Sequence, residues 1–179
     1  MSGAQQPEPN PLTIIFNYPR YVVPGQHLNP PLTVQLADAQ RYAAQTQIHP
    51  EYFYAEARCI SADVVVEDGR MVIKDEWTAT NHLCGSKLVY GTVKLSEDPE
   101  AYVVEFTFDP LWFVDQAGGY YYFQITVRAL RNGAVPGYEN EYRDQHIAFS
   151  DAMRDPDRGL IYVEPVRPAW EGASGRRGR

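Results

Sequence analysis

Cysteine is scarce in this chain: Cys59 and Cys84 are the only two in 179 residues. Two cysteines are too few to read as a disulfide framework. Cys59 falls in an alternating apolar segment and reads as a small buried hydrophobe, with a bridge to Cys84 as the other reading. Long apolar runs are also missing. No N-terminal run has signal-peptide length and none approaches the length of a bilayer span, so the chain is expected to be soluble and intracellular. Positive charge is in short supply, with 16 Lys and Arg against 23 Asp and Glu and a net charge of −7. That balance disfavours capture of nucleic acid or anionic membrane by the surface as a whole, although a local basic patch stays compatible with it.

Catalytic parts are equally sparse. His27, His49, His82 and His146 show neither the i, i+4 pairing nor the cysteine spacing of a zinc site, so no metal is expected and the histidines read as surface or loop residues. Ser86 follows Gly85 without the glycine pattern of a nucleophile elbow, and there is no Gly-rich phosphate loop. Asp75-Glu76 and Glu97-Asp98 are adjacent carboxylates placed in predicted turns, where they read as solvated loop charge. The expectation is a protein that is not an enzyme and carries no cofactor.

Proline and strand signals are abundant. In residues 12–36, LTIIFNYPRYVVPGQHLNPPLTVQL, Pro19, Pro24, Pro30 and Pro31 fix φ, remove N–H donors and push the preceding residues out of helical space. The segment reads as strand, extended crossing, strand. In residues 51–60, Phe53, Ala55, Ala57 and Cys59 alternate with Tyr52, Tyr54, Glu56 and Arg58, the period of a half-buried strand. Residues 64–67 and 70–73 flank Asp68-Gly69, which tolerates positive φ and predicts a tight hairpin with Glu67 facing Arg70.

Further strands are predicted at 87–95, with Val89, Gly91, Val93 and Leu95 on one face, and at 102–108, with Tyr102, Val104, Phe106 and Phe108. The longest alternation, 120–130, sends Tyr121, Phe123, Ile125, Val127 and Ala129 inward and Tyr120, Tyr122, Gln124, Thr126 and Arg128 outward, and closes at the turn signal Asn132-Gly133. Residues 37–47 fit either a helix or a long loop. Residues 140–153, with Asn140 as a cap, predict a helix. Polar, Pro-rich residues 1–11 and Gly- and Arg-rich residues 169–179 read as disordered tails around an ordered unit at 12–168. Short strands without alternating helices argue for an all-β antiparallel sandwich or partly open barrel with a minor helix.

Aromatic residues are dense, with 13 Tyr, 7 Phe and 3 Trp. In a strand, Tyr120 and Tyr122 must point away from Tyr121 and Phe123, so one pair joins the core and the other faces solvent or a cover. Tyr120 and Tyr122 are therefore a candidate face for a partner or for a stacked ligand such as a glycan. The segment 142–149 of the same chain is the alternative cover.

The order of these landmarks resembles the fungal velvet domain. Residues 12–20, followed by Leu28 and Asn29-Pro30-Pro31-Leu32-Thr33-Val34-Gln35-Leu36, are similar to that family's first strand, Gly-containing loop and Asp-Pro-Pro-Pro-led Val-Gln-Leu strand. Tyr52-Phe53, Leu88 with 91–95, Phe106-Thr107-Phe108, Leu111, and Gly119 with Tyr121, Phe123 and Ile125 look like later family strands in the same order. The resemblance implies an immunoglobulin-like, Rel-homology-like β-sandwich. It also implies a nuclear regulator of fungal development and secondary metabolism, with a cytoplasmic pool, that works as a homodimer or heterodimer with other velvet-type proteins.

Where the family's loop is rich in Arg and Lys for DNA phosphates, this loop offers Arg20, with His27 as a second group. Asn29 stands for the usual Asp and Leu32 for the third Pro, and residues 160–165 echo the family's C-terminal motif faintly. Affinity for DNA scales with phosphates neutralised, so the resemblance implies weak intrinsic DNA binding and reliance on a partner. The basic end Arg176-Arg177-Gly178-Arg179 reads as a solvated tail, with nuclear entry or phosphate contact as its other use. The alternative function is a β-sandwich ligand-binding module that uses the Tyr120 and Tyr122 face.

Overall fold

Residue 59 and its neighbours sit at the centre of two facing β-layers. The computed structural model describes residues 12–14, 18–95, 97–98, 101–129, 145–150 and 159–166. The expected tails and the Asn132-Gly133 turn lie outside the described residues. The elements are β1 (Leu12–Ile14), β2 (Tyr21–Val22), β3 (Leu32–Leu36), α1 (Ala39–Thr46), β4 (Phe53–Glu67), β5 (Arg70–Thr78), β6 (Leu83–Gly85), β7 (Leu88–Tyr90), β8 (Thr92–Leu95), β9 (Tyr102–Phe108), β10 (Leu111–Phe113), β11 (Gly119–Ala129), β12 (Gln145–Ser150) and β13 (Ile161–Val163). A four-stranded sheet runs β1-β3-β9-β8 and a seven-stranded sheet runs β2-β13-β11-β4-β5, with β12 added to β11 and β7 to β4. A two-stranded piece, β10 with β6, completes the set.

Period-two alternation builds both layers. On β3, Leu32, Val34 and Leu36 are buried, and on β9 Val104, Phe106 and Phe108 are buried. From the other sheet Ala55, Ala57 and Cys59 of β4 and Tyr121, Phe123, Ile125, Val127 and Ala129 of β11 face them, in one hydrophobic cluster. Sheets whose inward side chains meet in this way are held chiefly by apolar burial, about 1.5–3 kcal/mol for each large side chain. Neither cysteine is bridged, and burial pushes the Cys59 thiol far above its ordinary value. It is a core residue.

The proline-rich segment joins two paired strands as the sequence predicts, but the crossing itself holds a further short strand, β2, paired parallel with β13. Residues 18–31 lead into β3, which pairs antiparallel with β1, Leu12 opposite Leu36 and Ile14 opposite Val34. The Asp68-Gly69 hairpin is also present: Glu67 pairs with Arg70, and φ is +50° at Asp68 and +75° at Gly69. Positive φ at both central positions matches the right-handed twist of the flanking strands, which explains why Asp-Gly suits this site. Residues 39–46 settle the open choice in 37–47 as a helix.

Three expectations require correction. Residues 145–150, expected in a helix, form β12 and pair with β11 from Ile125 to Ala129. The sheet edge of β11 offers unpaired backbone groups there, and Ile147 and Phe149 stand two apart, so pairing overrides the weak helical pattern. Residues 87–95 are not one strand. Gly91 divides β7, which pairs with β4, from β8, which pairs with β9 in the other sheet. A Cβ at Gly91 would overlap Val104 and come within 2.9 Å of Phe106, so the chain changes layers where only glycine fits.

β8 is exposed along its whole length: its apolar Val93 and Leu95 pair opposite Val104 and Tyr102 yet stand in solvent. It is an edge strand beyond the reach of the facing layer. Asp75-Glu76, placed by sequence in a turn, lie within β5. That hairpin arm runs on past residue 73, and no turn residue interrupts it.

Candidate functional site

Three regions bear on function: the crossing loop, the outward face of β11 and its neighbours, and the exposed edges. The loop is anchored first. Arg20 donates from Nε to the Leu160 carbonyl at 2.9 Å, and Tyr18 donates its hydroxyl to the Gly159 carbonyl at 3.1 Å. These contacts, with the parallel pairing of β2 on β13, tie residues 18–22 to residues 159–163. Burial raises the Tyr18 hydroxyl above its usual pKa, and the Arg20 guanidinium works in the opposite direction.

Arg20 thus spends its Nε donor on the fold. His27 is exposed and lies over Trp112, with ring centroids 5.1 Å apart and planes tilted by 30°. A cavity of about 240 Å3 opens beside it, lined in part by Pro19, Tyr21, Val23, Gln26, His27 and Asn29. Arg20 is not among the residues that line it. Its only ionisable side chains are a tyrosine and a histidine, so this cavity lacks the cationic lining that phosphate contacts require.

The other family-motif residues divide into core and rim. Val34 and Leu36 are core, and Gln35 points outward to donate to Glu105 at 3.3 Å. Asn29 and Pro30 are exposed and Pro31 is half-buried. Gly119, with φ +96°, opens β11. Tyr121 and Phe123 are core. The Tyr121 hydroxyl accepts from the Gly118 N–H at 3.1 Å and meets His82 Nδ1 at 2.9 Å, and burial holds it above its usual pKa. His82 therefore serves as a packing partner. His49 accepts the Glu51 N–H at a 3-10 turn, Pro50–Tyr52, and is exposed.

Tyr120 and Tyr122 do not form an exposed pair. Tyr122 is buried, and its hydroxyl donates to Glu76 Oε2 at 3.0 Å. Tyr120 is half-buried against Tyr162, with centroids 5.1 Å apart. The physical reason is register: Tyr120 sits opposite Ala62 and Tyr122 opposite Ile60, whose neighbours on β5 are Glu76 and Thr78. A long tyrosine ring beside small Ala62 can lie over the sheet and reach Glu76 rather than stand into solvent. Tyr54, expected outward, does lie on that face yet is fully buried.

Tyr52, expected outward, is exposed, but sequence reasoning missed the exposed rings of Tyr21, Trp77 and Tyr90. Tyr21 is 55% exposed and stacks on Tyr162, with centroids 5.7 Å apart and planes 28° from parallel. A hydrogen bond to Glu164 holds the Tyr21 hydroxyl above its usual pKa. No local signal links Tyr21 to Tyr162, since they meet only because β2 pairs with β13. Among the described residues no group of three His, Cys, Asp or Glu side chains could hold a metal. Among them, too, no helix is long and apolar enough to cross a membrane.

Among the described residues the fold is all-β and sandwich-like with one short α-helix, and the outward side of its larger sheet carries aromatic rings. Set against protein-family models the sequence matches none, and no curated protein matches it significantly.

Proposed function

We propose that this chain is a velvet-type nuclear regulator of fungal development and secondary metabolism that acts through homodimerisation or heterodimerisation and binds DNA weakly by itself. The observation that carries the reading is the crossing at 18–31. It passes through Asn29-Pro30-Pro31 into β3, paired Leu12 to Leu36 with β1, and by the resemblance it corresponds to the loop with which the family contacts DNA. The same loop supports the weak-binding part. Its family-implied contacts are Arg20, engaged through Nε with Leu160, and His27, stacked on Trp112. Each phosphate contact removed lowers affinity and flattens its salt dependence.

The test is a mobility-shift titration on duplex DNA, alone and with velvet-type partners, combined with capture of those partners by the full chain. Weak, salt-sensitive binding alone and a gain of at least tenfold with a partner support the reading. Failure to bind any such partner, with no gain on DNA, overturns it. The rival ligand-binding module that used Tyr120 and Tyr122 together is disfavoured, because Tyr122 is covered and its hydroxyl is committed to Glu76.

A further inference from the structure

Tyrosines from three neighbouring strands form a row on the outward face of the seven-stranded sheet. Tyr21 of β2 is the register partner of Tyr162 of β13, and Tyr162 is the register partner of Tyr120 of β11. The row continues through Ala62 of β4 to Glu76 of β5. At ordinary strand spacing this path covers about 19 Å, the reach of roughly six extended residues. Carboxylates stand at both ends: Glu164, hydrogen-bonded to the Tyr21 hydroxyl, and Glu76 beyond Ala62, whose Oε2 accepts from Tyr122.

We propose that this tyrosine row is a docking surface for an arginine-containing peptide segment of a partner protein. The proposal is independent of the regulator reading and holds or fails on its own. Charge complementarity selects the occupant: the protein carries a net charge of −7, Glu164 and Glu76 stand at the ends of the row, and the neighbouring Arg20 is engaged through Nε with the Leu160 carbonyl. Ring geometry selects arginine among cations. A guanidinium is planar, weakly hydrated and always charged, so it stacks on a tyrosine face while its N–H fork reaches a neighbouring carboxylate.

Tyr21 and Tyr162 are 28° from parallel, whereas Tyr120 is turned 58° from Tyr162. Angled rings offer separate faces to separate cations, while a sugar or a run of bases favours a flat platform. Single-stranded nucleic acid also needs a cationic groove along its backbone, and this row ends in carboxylates.

The experiment uses the full chain and fluorescence anisotropy with three labelled dodecapeptides, alike except that the charged positions are Arg, Lys or Glu. The arginine peptide is expected to bind most tightly and to weaken as salt rises. Tyr21→Ala and Glu164→Gln are each expected to lower its affinity roughly 2- to 5-fold. Tyr21→Phe, which keeps the ring, should retain most of the binding, and Thr33→Ala on the other sheet should retain all of it. Tyr21 is exposed, so these variants keep the wild-type melting temperature, which is measured alongside. Equal binding of arginine and glutamate peptides overturns the proposal, as does unchanged affinity in Tyr21→Ala. An oligosaccharide or single-stranded DNA that binds tightly where the arginine peptide does not, and loses binding in the same variants, overturns it in favour of those ligands.

Discussion

On the four-stranded sheet the outward side chains are small or polar and pair across strands: Thr33 lies opposite Thr107, and Gln35 opposite Glu105, which also takes the ammonium of Lys94 at 2.7 Å. On the seven-stranded sheet the outward positions hold Tyr21, Tyr162, Tyr120, Tyr122 and Tyr54, with Glu56 between Arg58 and Arg128. Both layers bury the same kind of inward face. A sheet that only had to close the core needs nothing more outside than solvated threonines and an ion pair. The second sheet also carries aromatic rings on its outward side, Tyr122 and Tyr54 buried there and Tyr21 partly in water. The difference is one of cover: on the outward side of the seven-stranded sheet Tyr54 and Tyr122 are buried while Tyr21 stays 55% exposed, whereas the four-stranded sheet leaves Val93 and Leu95 of its edge strand in solvent.

The largest effect that would sharpen this contrast comes from Tyr54. It lies outside the main core cluster yet has no exposed surface. Truncation of a large buried aromatic typically costs about 3–5 kcal/mol, and Tyr54→Ala is expected to lose that much in urea unfolding. Thr107→Ala, at an exposed outward position of the other sheet, should change stability by less than about 0.5 kcal/mol. Equal losses at the two positions would remove the contrast between the faces.

Gly91→Ala tests the point where the chain passes from one layer to the other. Its methyl would meet Val104 and Phe106, both fully buried. Overpacking of this kind costs about 1–3 kcal/mol, read as a lower urea midpoint with an unchanged slope. A neutral result would mean that the two layers slide apart freely there.

Tyr122→Phe isolates a polar contact on the outer face. It deletes the hydroxyl that donates to Glu76 and keeps the ring. Hydrogen bonds to charged groups contribute about 1.5–3 kcal/mol when desolvated, and Glu76 is only half-buried, so a loss near about 1 kcal/mol is expected. A loss below the error of the unfolding fit would show that this hydroxyl finds water equally well.

Much of the layering was legible in sequence, and for a definite reason. Alternation over Phe53 to Cys59 and over Tyr121 to Ala129 has the period of the pleat, and Asp68-Gly69 supplies positive φ where the hairpin requires it. These are local rules. What escaped was set by pairing between distant segments. Residues 145–150 became a strand because β11 had an open edge, and 87–95 split at Gly91 because Val104 and Phe106 of β9 crowd that point. The tyrosine row was hidden most completely. Tyr21 and Tyr162 lie 141 residues apart and meet only through β2 and β13, two of the shortest strands in the fold. Tyr120 and Tyr122 were correctly placed on one face, but the period of a strand cannot tell which of two outward rings will fold over a small neighbour.

Glu105 gives the smallest and most selective test, on the face that carries no aromatic row. Lys94 donates to one oxygen at 2.7 Å and Gln35 to the other at 3.3 Å. The Lys94 hydrogen bond is the main cause that holds the Glu105 carboxyl below the ordinary glutamate value, against the opposing effect of burial. A carboxyl depressed in the folded state binds fewer protons there than in the unfolded chain. Its stabilisation is therefore complete above the unfolded glutamate value, about 4.3, and is lost as pH falls through the lower folded value. With Lys94 half exposed, the contribution stays below about 1 kcal/mol. Glu105→Gln should leave melting behaviour close to wild type at low pH, where the carboxyl is protonated in either state. It should fall slightly below wild type at neutral pH. Melting curves at several pH values decide the matter: a difference between the two proteins that does not grow as pH rises from 3 to 6 would show that the Lys94–Glu105 pair is solvated and holds nothing in place.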